Sequence, residues 1–238
     1  MSNAPPPLRR LARLFRHTPL HPQWLLGRRT PPVGIHAVRG RVLDIGAADR
    51  WIEPLLDDSV HYIALDFPST GADMYGARPC VFADAAHLPL GDNSVQAVFC
   101  LEVLEHVPRP AIVMTEISRV LVPGGRAWVS MPFLYPVHDA PFDFQRYTPF
   151  GLQRDVQAAG LEVVCLRRSS HSLRNAGLLG CLAIAGGVNA LSGWKKWPLL
   201  PPALLAIFML NLAAAIGSLV WPDWDNMSHG HELELRKP

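Results

Sequence analysis

The chain has 238 residues, of which 49% are hydrophobic and 18% charged, and its formal net charge is +2 at pH 7. That length accommodates one domain with appendages, and the composition excludes a wholly disordered protein. The small net charge argues against a nucleic-acid partner. A mean hydropathy of +0.14 indicates apolar surface beyond an ordinary core. The four cysteines lack CxxC or zinc-like spacing, which favours a reducing compartment.

Residues 1–40 form a predicted arm rich in proline and arginine. Before Asp44 the chain carries eight arginines and no acidic residue, and no apolar run there is long enough for a signal peptide. From Leu8 to Phe15 apolar residues recur at helical spacing with arginines between them, which predicts a short basic amphipathic helix. Two interpretations stay open: this helix packs on the domain as a lid, or it lies on anionic lipid.

Residues 41–168 alternate short apolar runs with helical patterns. Helices are predicted near 49–57, 108–121 and 148–159. Strands that alternate with helices predict βαβ units and a parallel sheet covered on both faces. The predicted strands are RVLDI, VHYIALD, PCVFAD, VQAVFCL, GRAWVSM and LEVVCLR.

Beyond residue 175 two uncharged stretches flank the sequence WKKW. As a helix, the second would be about 28 Å long, close to a bilayer core of about 30 Å. Four of the seven tryptophans lie at the ends of these stretches, as in an interfacial belt. We favour a monotopic apolar hairpin over 169–224 rather than a full span. A buried core or dimer helix pair is the alternative.

Residues 225–238 complete the predicted organisation. They end in HGHELELRKP, whose alternation of apolar and polar residues predicts one more strand. His229 and His231 precede this strand and are predicted to lie at the surface.

The strongest local motif is VLDIGAADRW, in which a strand leads into Asp44 and then Gly46. Such a turn lets backbone approach a ligand closely. Asp66 ends the second strand about 20 residues later, where a doubly wound domain places an acid to accept ribose hydroxyls. Asp84 follows the third strand, and CLEVLEHV ends the fourth. We expect these groups to meet in one crevice, since ligands bind at the carboxyl ends of parallel strands.

This ordered set resembles the class I S-adenosylmethionine-dependent methyltransferases, in the broad group that includes the quinone-biosynthesis methyltransferases. The matching run extends from Arg41 to about Val164 and includes TEISRVLVPGGRAWVSMPF and QRYT. The resemblance implies S-adenosylmethionine as cofactor. It also implies a doubly wound α/β fold with a mostly parallel seven-stranded sheet, whose last strand is antiparallel and follows the apolar helical insertion.

The resemblance also implies roles for individual residues. Asp44 and the Gly46 turn would hold the methionine end of the cofactor, and Glu102 would border the methyl group. The family usually has glycine where this chain has Ala48, and an alanine fits there if its φ stays negative. Arg50 replaces another frequent glycine. The implied cofactor-binding residues are Asp44, Gly46, Ala48, Asp66, Phe67, Asp84, Ala85 and Leu101.

The segment MPFLYPVHDAPFDFQRYT, which follows a predicted strand, is dense in polar and aromatic residues. His138 is a candidate base and, with Glu102, a candidate catalytic residue. The spacing of His138, Asp139 and Asp143 matches no tight ligand pattern, so we expect no metal. The alternative is an ordered loop in which Arg146 pairs with a carboxylate, and His106 has a purely structural alternative. The candidate substrate residues are His106, Asp143, Arg146 and Tyr147.

The leading hypothesis is a methyltransferase acting on a small-molecule or lipid-linked acceptor at the membrane surface. Two alternatives stay open: a catalytically weak cofactor-fold protein that serves as a membrane-associated partner, and a nicotinamide oxidoreductase. We expect the chain on the cytoplasmic side of a membrane, or in the cytoplasm if the hairpin is buried. A homodimer is compatible with the apolar hairpin.

Overall fold

The computed structural model describes residues 15–238, with the backbone alone described for residues 73–75. Most of the predicted amphipathic helix of the arm therefore lies outside the described residues. The strands are β1 (Arg41–Ile45), β2 (His61–Asp66), β3 (Val81–Phe82), β4 (Val95–Leu101), β5 (Leu121–Pro132), β6 (Glu162–Arg168) and β7 (Gly230–Arg236). The α-helices are α1 (Pro110–Val120), α2 (Pro149–Ala158), α3 (Ser172–Ala190) and α4 (Leu200–Val220).

All seven strands form one sheet in the order β3-β2-β1-β4-β5-β7-β6. The neighbours from β3 to β5 pair in parallel, whereas β7 runs antiparallel to both β5 and β6. The predicted doubly wound, mostly parallel sheet with an antiparallel last strand is confirmed. Strand order reverses between β1 and β4, which is where ligands bind in open sheets of this kind.

The central strands are buried because apolar side chains cover both of their faces. Val42 and Leu43 of β1 and Val98 and Phe99 of β4 are fully inaccessible to solvent. On one face, the Phe99 ring stacks on Trp128 of β5 with ring centroids 4.9 Å apart. This rigid centre holds the carboxyl end of β1 beside that of β4. The two strands are 5 and 7 residues long, respectively.

The helix predicted near 49–57 is wrong. Only a 3₁₀ turn forms there, over Glu53–Leu55. Ala48 and Arg50 both adopt a left-handed backbone, with φ of +42° and +55°, and an α-helix cannot pass through such residues. The two other predicted helices are confirmed as α1 and α2, each of which begins at a proline in its first position.

The chain divides into two compact units. One contains residues 30–133, 137–168 and 230–238, and therefore the whole sheet. The other contains the described part of residues 1–29 together with 134–136 and 169–229.

Within the second unit, α3 and α4 pack against each other and against the segment that precedes Arg29. Gly177 of α3 allows this packing, since a Cβ atom there would lie 2.5 Å from the Cβ of Ala214. Asn211 of α4 is fully buried and its side-chain amide donates hydrogen bonds to the carbonyls of Pro19 and His21, at 2.7 and 3.0 Å. One face of α4 is therefore tied to protein.

The predicted surface position of His231 is wrong. This residue pairs with Met131 of β5 and Arg168 of β6, and it is only 5% exposed because β7 lies inside the sheet. Its ring lies 5.3 Å from that of Phe133. His229, outside the strand, is partly exposed, and its Nδ1 lies 3.0 Å from the Ser170 hydroxyl.

Candidate functional site

Asp44 lies on β1 one residue before the strand ends, at the point where strand order reverses. Its side chain is buried and accepts a hydrogen bond from the Tyr62 hydroxyl of β2. Burial raises the pKa of Asp44 to about 7, against the effect of that hydrogen bond, with a further increase from the negative charge of Asp66. The carboxyl group is therefore poised between its neutral and charged forms near neutral pH.

The turn after β1 is a narrow cradle. Gly46 has φ of +70°, and a Cβ atom there would lie 2.4 Å from Cγ2 of Val103, so only glycine fits. Ala48 does not keep the negative φ that would fit an alanine without strain, because its φ is +42°. A left-handed backbone conformation strains a non-glycine residue, and residues strained in this way cluster at functional sites.

Asp66 holds this turn in place from the end of β2. Its Oδ2 accepts the Ala48 N–H at 2.9 Å, and its Oδ1 accepts the Phe67 N–H at 2.8 Å. Each carboxylate oxygen retains a second lone pair, so the side chain can also accept hydroxyl groups of a ribose. The carboxylate and the glycine cradle thus fit the nucleoside and amino-acid ends of a cofactor such as S-adenosylmethionine.

Asp84 follows β3 in a tight turn. Its Oδ1 accepts the Ala86 N–H at 2.8 Å, and its Oδ2 lies 3.7 Å from Nδ1 of His87. Its side chain is about half exposed, whereas Ala85 is buried. The carboxylate therefore caps its own turn and remains accessible from solvent.

Glu102 directly follows β4 and also has a left-handed backbone, with φ of +56°. Its Oε1 accepts a 2.7 Å hydrogen bond from the Ser130 hydroxyl of β5, and the same Ser130 oxygen accepts the Glu102 N–H at 3.1 Å. Glu102 is exposed to solvent as a whole residue. Its carboxylate is nevertheless surrounded by protein, and the resulting desolvation raises the pKa of Glu102. Leu101 and Glu102 directly follow Cys100, which pairs with Ile45 at the end of the adjacent strand β1.

Glu105, in the 3₁₀ turn Leu104–His106, is fully buried. Neither of its carboxylate oxygens accepts a hydrogen bond from another described residue. Its Oε1 lies 3.7 Å from Nε2 of His106 and 3.9 Å from Nε2 of His138. Burial raises the pKa of Glu105 well above its usual range, and the charge of Glu102 adds to this. Burying a carboxyl group without a hydrogen bond costs free energy, which distinguishes Glu105 from an ordinary core residue.

The loop after β5 is fixed to this turn. The Phe144 N–H donates to the Glu105 carbonyl at 2.8 Å, and the Gln145 amide donates to the carbonyls of Leu104 and Val107. These bonds bring His138 beside the end of β4 although the two are far apart in sequence.

Asp143 is the polar centre of that loop. It forms a two-pronged pair with the Arg146 guanidinium and accepts the His138 N–H at 2.9 Å. The hydrogen bonds from Arg146 hold the pKa of Asp143 at about 2. Tyr147 donates its hydroxyl to Asp155 of α2, which fixes it to the scaffold. The ordered loop in which Arg146 pairs with a carboxylate is therefore present.

The structure brings together most of the residues singled out from the sequence. Asp44, Gly46 and Ala48 at the end of β1 lie beside Asp66 and Phe67 at the end of β2. Glu102, His106, His138, Asp143 and Arg146 gather at the end of β4 and the loop after β5. No role was predicted for Glu105, although it stands beside His106 in CLEVLEHV. Tyr62 and Ser130, which bond Asp44 and Glu102, were not predicted as their partners.

Comparison with known proteins agrees with this architecture. Residues 43–129 match a family model described as a methyltransferase domain. A Mycobacterium bovis protein described as an uncharacterized methyltransferase is 29% identical over 216 residues, covering 81% of this chain and 80% of the relative.

Solved structures with the same fold include a SAM-dependent methyltransferase from Archaeoglobus fulgidus. Its TM-score is 0.56 at 13% identity, covering 94% of this chain and 98% of that chain. A phosphoethanolamine N-methyltransferase of Haemonchus contortus, in complex with S-adenosyl-L-methionine, gives 0.50 at 12% identity, covering 100% and 61%. At these identities the likeness supports the fold alone.

The sheet order, the glycine cradle and the acids at its strand ends define a Rossmann-like domain that binds a nucleoside-containing cofactor. Together with the methyltransferase domain matched by residues 43–129 and the relatives described as methyltransferases, these features support a class I S-adenosylmethionine-dependent methyltransferase. It is an enzyme, and its cofactor is S-adenosylmethionine. These findings favour methyl transfer over the nicotinamide oxidoreductase considered from the sequence.

Replacing Ala48 with glycine is expected to stabilise the fold by about 1 kcal/mol. Left-handed backbone costs an L-residue about 1–2 kcal/mol, and the added chain entropy of glycine offsets only part of that gain. Urea unfolding measures the change. Ala77→Gly is the control, since Ala77 is outside the left-handed region, and it should destabilise. A less stable Ala48→Gly variant that binds S-adenosylmethionine no better would contradict the family geometry at this turn.

Replacing Asp44 with asparagine is expected to remove a pH dependence of stability. The folded-state pKa of Asp44 is about 7 and the ordinary value is 3.8, so the fold binds a proton that the unfolded chain has lost. Wild-type stability should therefore fall as pH rises from about 4 to 7, by about 4 kcal/mol from this group alone. The asparagine variant should lack that component when urea unfolding is compared at about pH 4.5 and about pH 8. Parallel curves for the two proteins would contradict the assignment.

Proposed function

We propose that this enzyme transfers the methyl group of S-adenosylmethionine to a small-molecule or lipid-linked acceptor at a membrane surface. The observation that carries this proposal is the bare apolar face of α4. Residues Gly193–Val220 have a mean hydropathy of 2.3 in their most apolar window, only 22% of which is buried. Among the described residues this is one helix that length and composition would allow to cross a membrane.

In the proposed cofactor site, Asp44 and the Gly46 cradle hold the methionine end of S-adenosylmethionine. Asp66 accepts the ribose hydroxyls while it fixes the backbone at Ala48 and Phe67. Asp84 and Ala85 border the adenine, and Leu101 borders the methionine chain. The support is the convergence of these residues at the reversal of strand order, where Asp66 already organises the turn through two hydrogen bonds.

The bound cofactor supplies a sulfonium methyl group that is already activated for transfer. The protein then needs mainly to align the acceptor, exclude water and take up any released proton. Glu102 lies where the strained end of β4 faces the crevice, and His138 is the proposed proton acceptor. His106, Asp143, Arg146 and Tyr147 form the proposed acceptor wall, in which Asp143 and Tyr147 position their neighbours through hydrogen bonds.

An apolar or lipid-linked acceptor suits the surface of the same loop. Val137 and Phe144 are exposed on the loop after β5, Phe150 is exposed in the first turn of α2, and Phe67 is exposed after β2. Exposed apolar side chains on the segments that follow the strand ends favour an acceptor that carries a hydrophobic part.

The membrane part of the proposal rests on the second unit. The bare face of α4 presents large apolar side chains, and tryptophans lie at both of its ends. Asn211 ties the opposite face to Pro19 and His21 near the middle of the helix, which favours a helix lying in the interface over one that spans the bilayer. The exposed residues are Trp194, Trp197, Leu204, Leu205, Met209, Leu210, Ile216, Leu219, Val220, Trp221 and Trp224.

A methyl-transfer assay tests the acceptor class. The full-length enzyme is incubated with S-adenosylmethionine carrying a labelled methyl group, together with either a total lipid extract or the water-soluble metabolites of the same cells. Label appearing in the lipid phase supports a lipid-linked acceptor, and label confined to the aqueous phase supports a small polar one. At limiting S-adenosylmethionine the Asp66→Ala variant should transfer about 10- to 150-fold less label in either arm, in proportion to its weaker cofactor binding. Label transferred only in a third arm, which contains the proteins of the same cells, would contradict the proposal.

A further inference from the structure

Arg50 lies near the acid at the end of β1. Its guanidinium carbon lies over the Tyr62 ring, 5.4 Å from the ring centre, and the Tyr62 hydroxyl donates a hydrogen bond to the buried Asp44. On the basis of the cofactor site proposed above, we propose that the Arg50 guanidinium binds the carboxylate at the methionine end of S-adenosylmethionine, while Asp44 binds the ammonium group. Arg50 would thus be a further cofactor-binding residue.

The backbone at Arg50 is strained. Its N–H donates to the Ala47 carbonyl at 2.6 Å, which closes the turn after β1, and its φ is +55°. Glycine adopts such a φ without strain, whereas arginine does not. Strain of this kind at a cofactor turn points to a function of the side chain, because the backbone alone would be better served by glycine.

Protein partners satisfy only part of the Arg50 guanidinium. Glu53 accepts a 2.7 Å hydrogen bond from Nη2, and the Nε atom is buried but donates no hydrogen bond to a described residue. One third of the side chain is exposed to solvent. A guanidinium has five N–H groups in one plane, so those that Glu53 does not use can bind the two oxygens of a carboxylate.

Tyr62 separates the acid from the arginine. Its hydroxyl binds Oδ2 of Asp44, and its ring lies below the guanidinium. Tyr62 pairs with Val42 of β1, so its backbone is fixed in the sheet. Arg50 therefore pairs with the partly exposed Glu53 rather than with Asp44. Both charges at the cradle stay available to a ligand.

The charges around Asp44 suit a zwitterionic ligand. Burial raises the pKa of Asp44, the charges of Asp66 and Asp49 raise it further, and the positive charge of Arg50 acts in the opposite direction. The methionine end of the cofactor carries an ammonium group and a carboxylate on one carbon atom. The acids attract the ammonium group and repel the carboxylate, and Arg50 offsets that repulsion.

Glu53 competes for the same guanidinium, but the pair is weak. The side chains of Arg50 and Glu53 are 33% and 44% exposed. Exposed ion pairs contribute little, because water screens them and because fixing two long side chains costs entropy. A ligand whose ammonium group is already bound to Asp44 presents its carboxylate at a high effective concentration. The ligand carboxylate therefore competes successfully with Glu53.

Calorimetric titration of the full chain with two ligands tests this assignment. One ligand is S-adenosylmethionine, and the other is decarboxylated S-adenosylmethionine, which keeps the amine, the sulfonium and the nucleoside but lacks the carboxylate. Arg50→Gln should weaken binding of S-adenosylmethionine by about 10- to 150-fold, the effect of losing hydrogen bonds between charged groups. Its affinity for the decarboxylated ligand should stay within about 3-fold of the wild type, because no contact to that ligand is lost.

Two further variants control for folding and for the removal of charge. Arg50→Gly should remain folded, because glycine suits the left-handed backbone, and it should show the same selective loss. Arg39→Gln is the matched control, since Arg39 also forms an exposed pair, with its Nη2 3.5 Å from Oδ2 of Asp57. It should bind both ligands like the wild type. Thermal unfolding checks that all three variants are folded.

An equal loss of affinity for both ligands would overturn the proposal, since Arg50 would then support the turn without binding the carboxylate. Unchanged affinity for S-adenosylmethionine in the folded Arg50 variants would overturn it as well. Asp66→Ala separates this failure from a failure of the cofactor site. The ribose is common to both ligands, so both should weaken together in that variant. If they do and the Arg50 variants show no selective loss, the proposed site stands without Arg50. Wild-type affinity for both ligands in Asp66→Ala would contradict the proposed site itself.

Discussion

Replacing Asp66 with alanine is expected to weaken S-adenosylmethionine binding by about 10- to 150-fold, or about 1.5–3 kcal/mol, the contribution typical of hydrogen bonds to a charged group. The loss has two sources. The ribose hydroxyls lose their acceptor, and the backbone amides of Ala48 and Phe67 lose the carboxylate that fixes the turn. Calorimetric titration of the folded variant with S-adenosylmethionine measures the effect.

The matched control is Asp58→Ala, which removes an exposed carboxylate from the loop between β1 and β2. It should bind S-adenosylmethionine like the wild type. Asp66→Asn separates the two sources of the effect, because its amide oxygen can still accept one backbone N–H while its charge is gone. Wild-type affinity in a correctly folded Asp66→Ala variant would remove Asp66 from the cofactor site.

The sheet was largely predictable because its strands are buried, and buried strands appear in the sequence as short apolar runs. Every predicted strand is present, although the third shrinks to Val81–Phe82 and the fifth extends upstream to Leu121. The acids at the strand ends were also predictable, since the topology of a parallel sheet brings those ends together. Local patterns thus sufficed wherever the fold itself supplies the long-range geometry.

The predictions failed where the pattern of apolar and polar side chains gave no information about the backbone conformation. The segment 49–57 has helical spacing, yet the left-handed Ala48 and Arg50 prevent a helix. A single sequence does not reveal that an alanine will adopt a positive φ, because isolated peptides avoid it. Burial of His231 was missed for a related reason: a polar residue at the start of a strand resembles a surface residue until both neighbouring strands are known.

The cluster of Glu105, His106 and His138 was missed because it is assembled over a long sequence separation. The first two residues lie in one turn, and His138 joins them only through a loop held by hydrogen bonds from Phe144 and Gln145. The spacing of His138 to its sequence neighbours Asp139 and Asp143 matches no tight ligand pattern, and it gives no indication of Glu105. In the structure Nε2 of His138 also lies 3.9 Å from Oε1 of the buried Glu105, and its Nδ1 lies 3.2 Å from Oδ2 of Asp143.

Replacing Leu205, Ile216 and Leu219 together with aspartate is expected to release most of the enzyme from membranes. All three side chains are exposed on α4, at 63%, 62% and 82%, so the substitutions remove no core packing. Each apolar side chain contributes about 1.5–3 kcal/mol when buried in lipid, and the new charges oppose insertion further. High salt should release little of the wild type, because salt screens the arginines of the arm and leaves the apolar contribution intact.

Flotation with vesicles made from bacterial lipids, followed by quantification of the bound fraction, measures this effect. The control is Val33→Asp combined with Val164→Asp, two exposed apolar positions outside α4. It should float like the wild type, and both variants should retain S-adenosylmethionine binding, since the proposed cofactor contacts lie between Asp44 and Leu101. If the wild type is soluble without detergent as a dimer that the triple substitution dissociates, the bare face of α4 is a subunit interface and the membrane proposal is wrong.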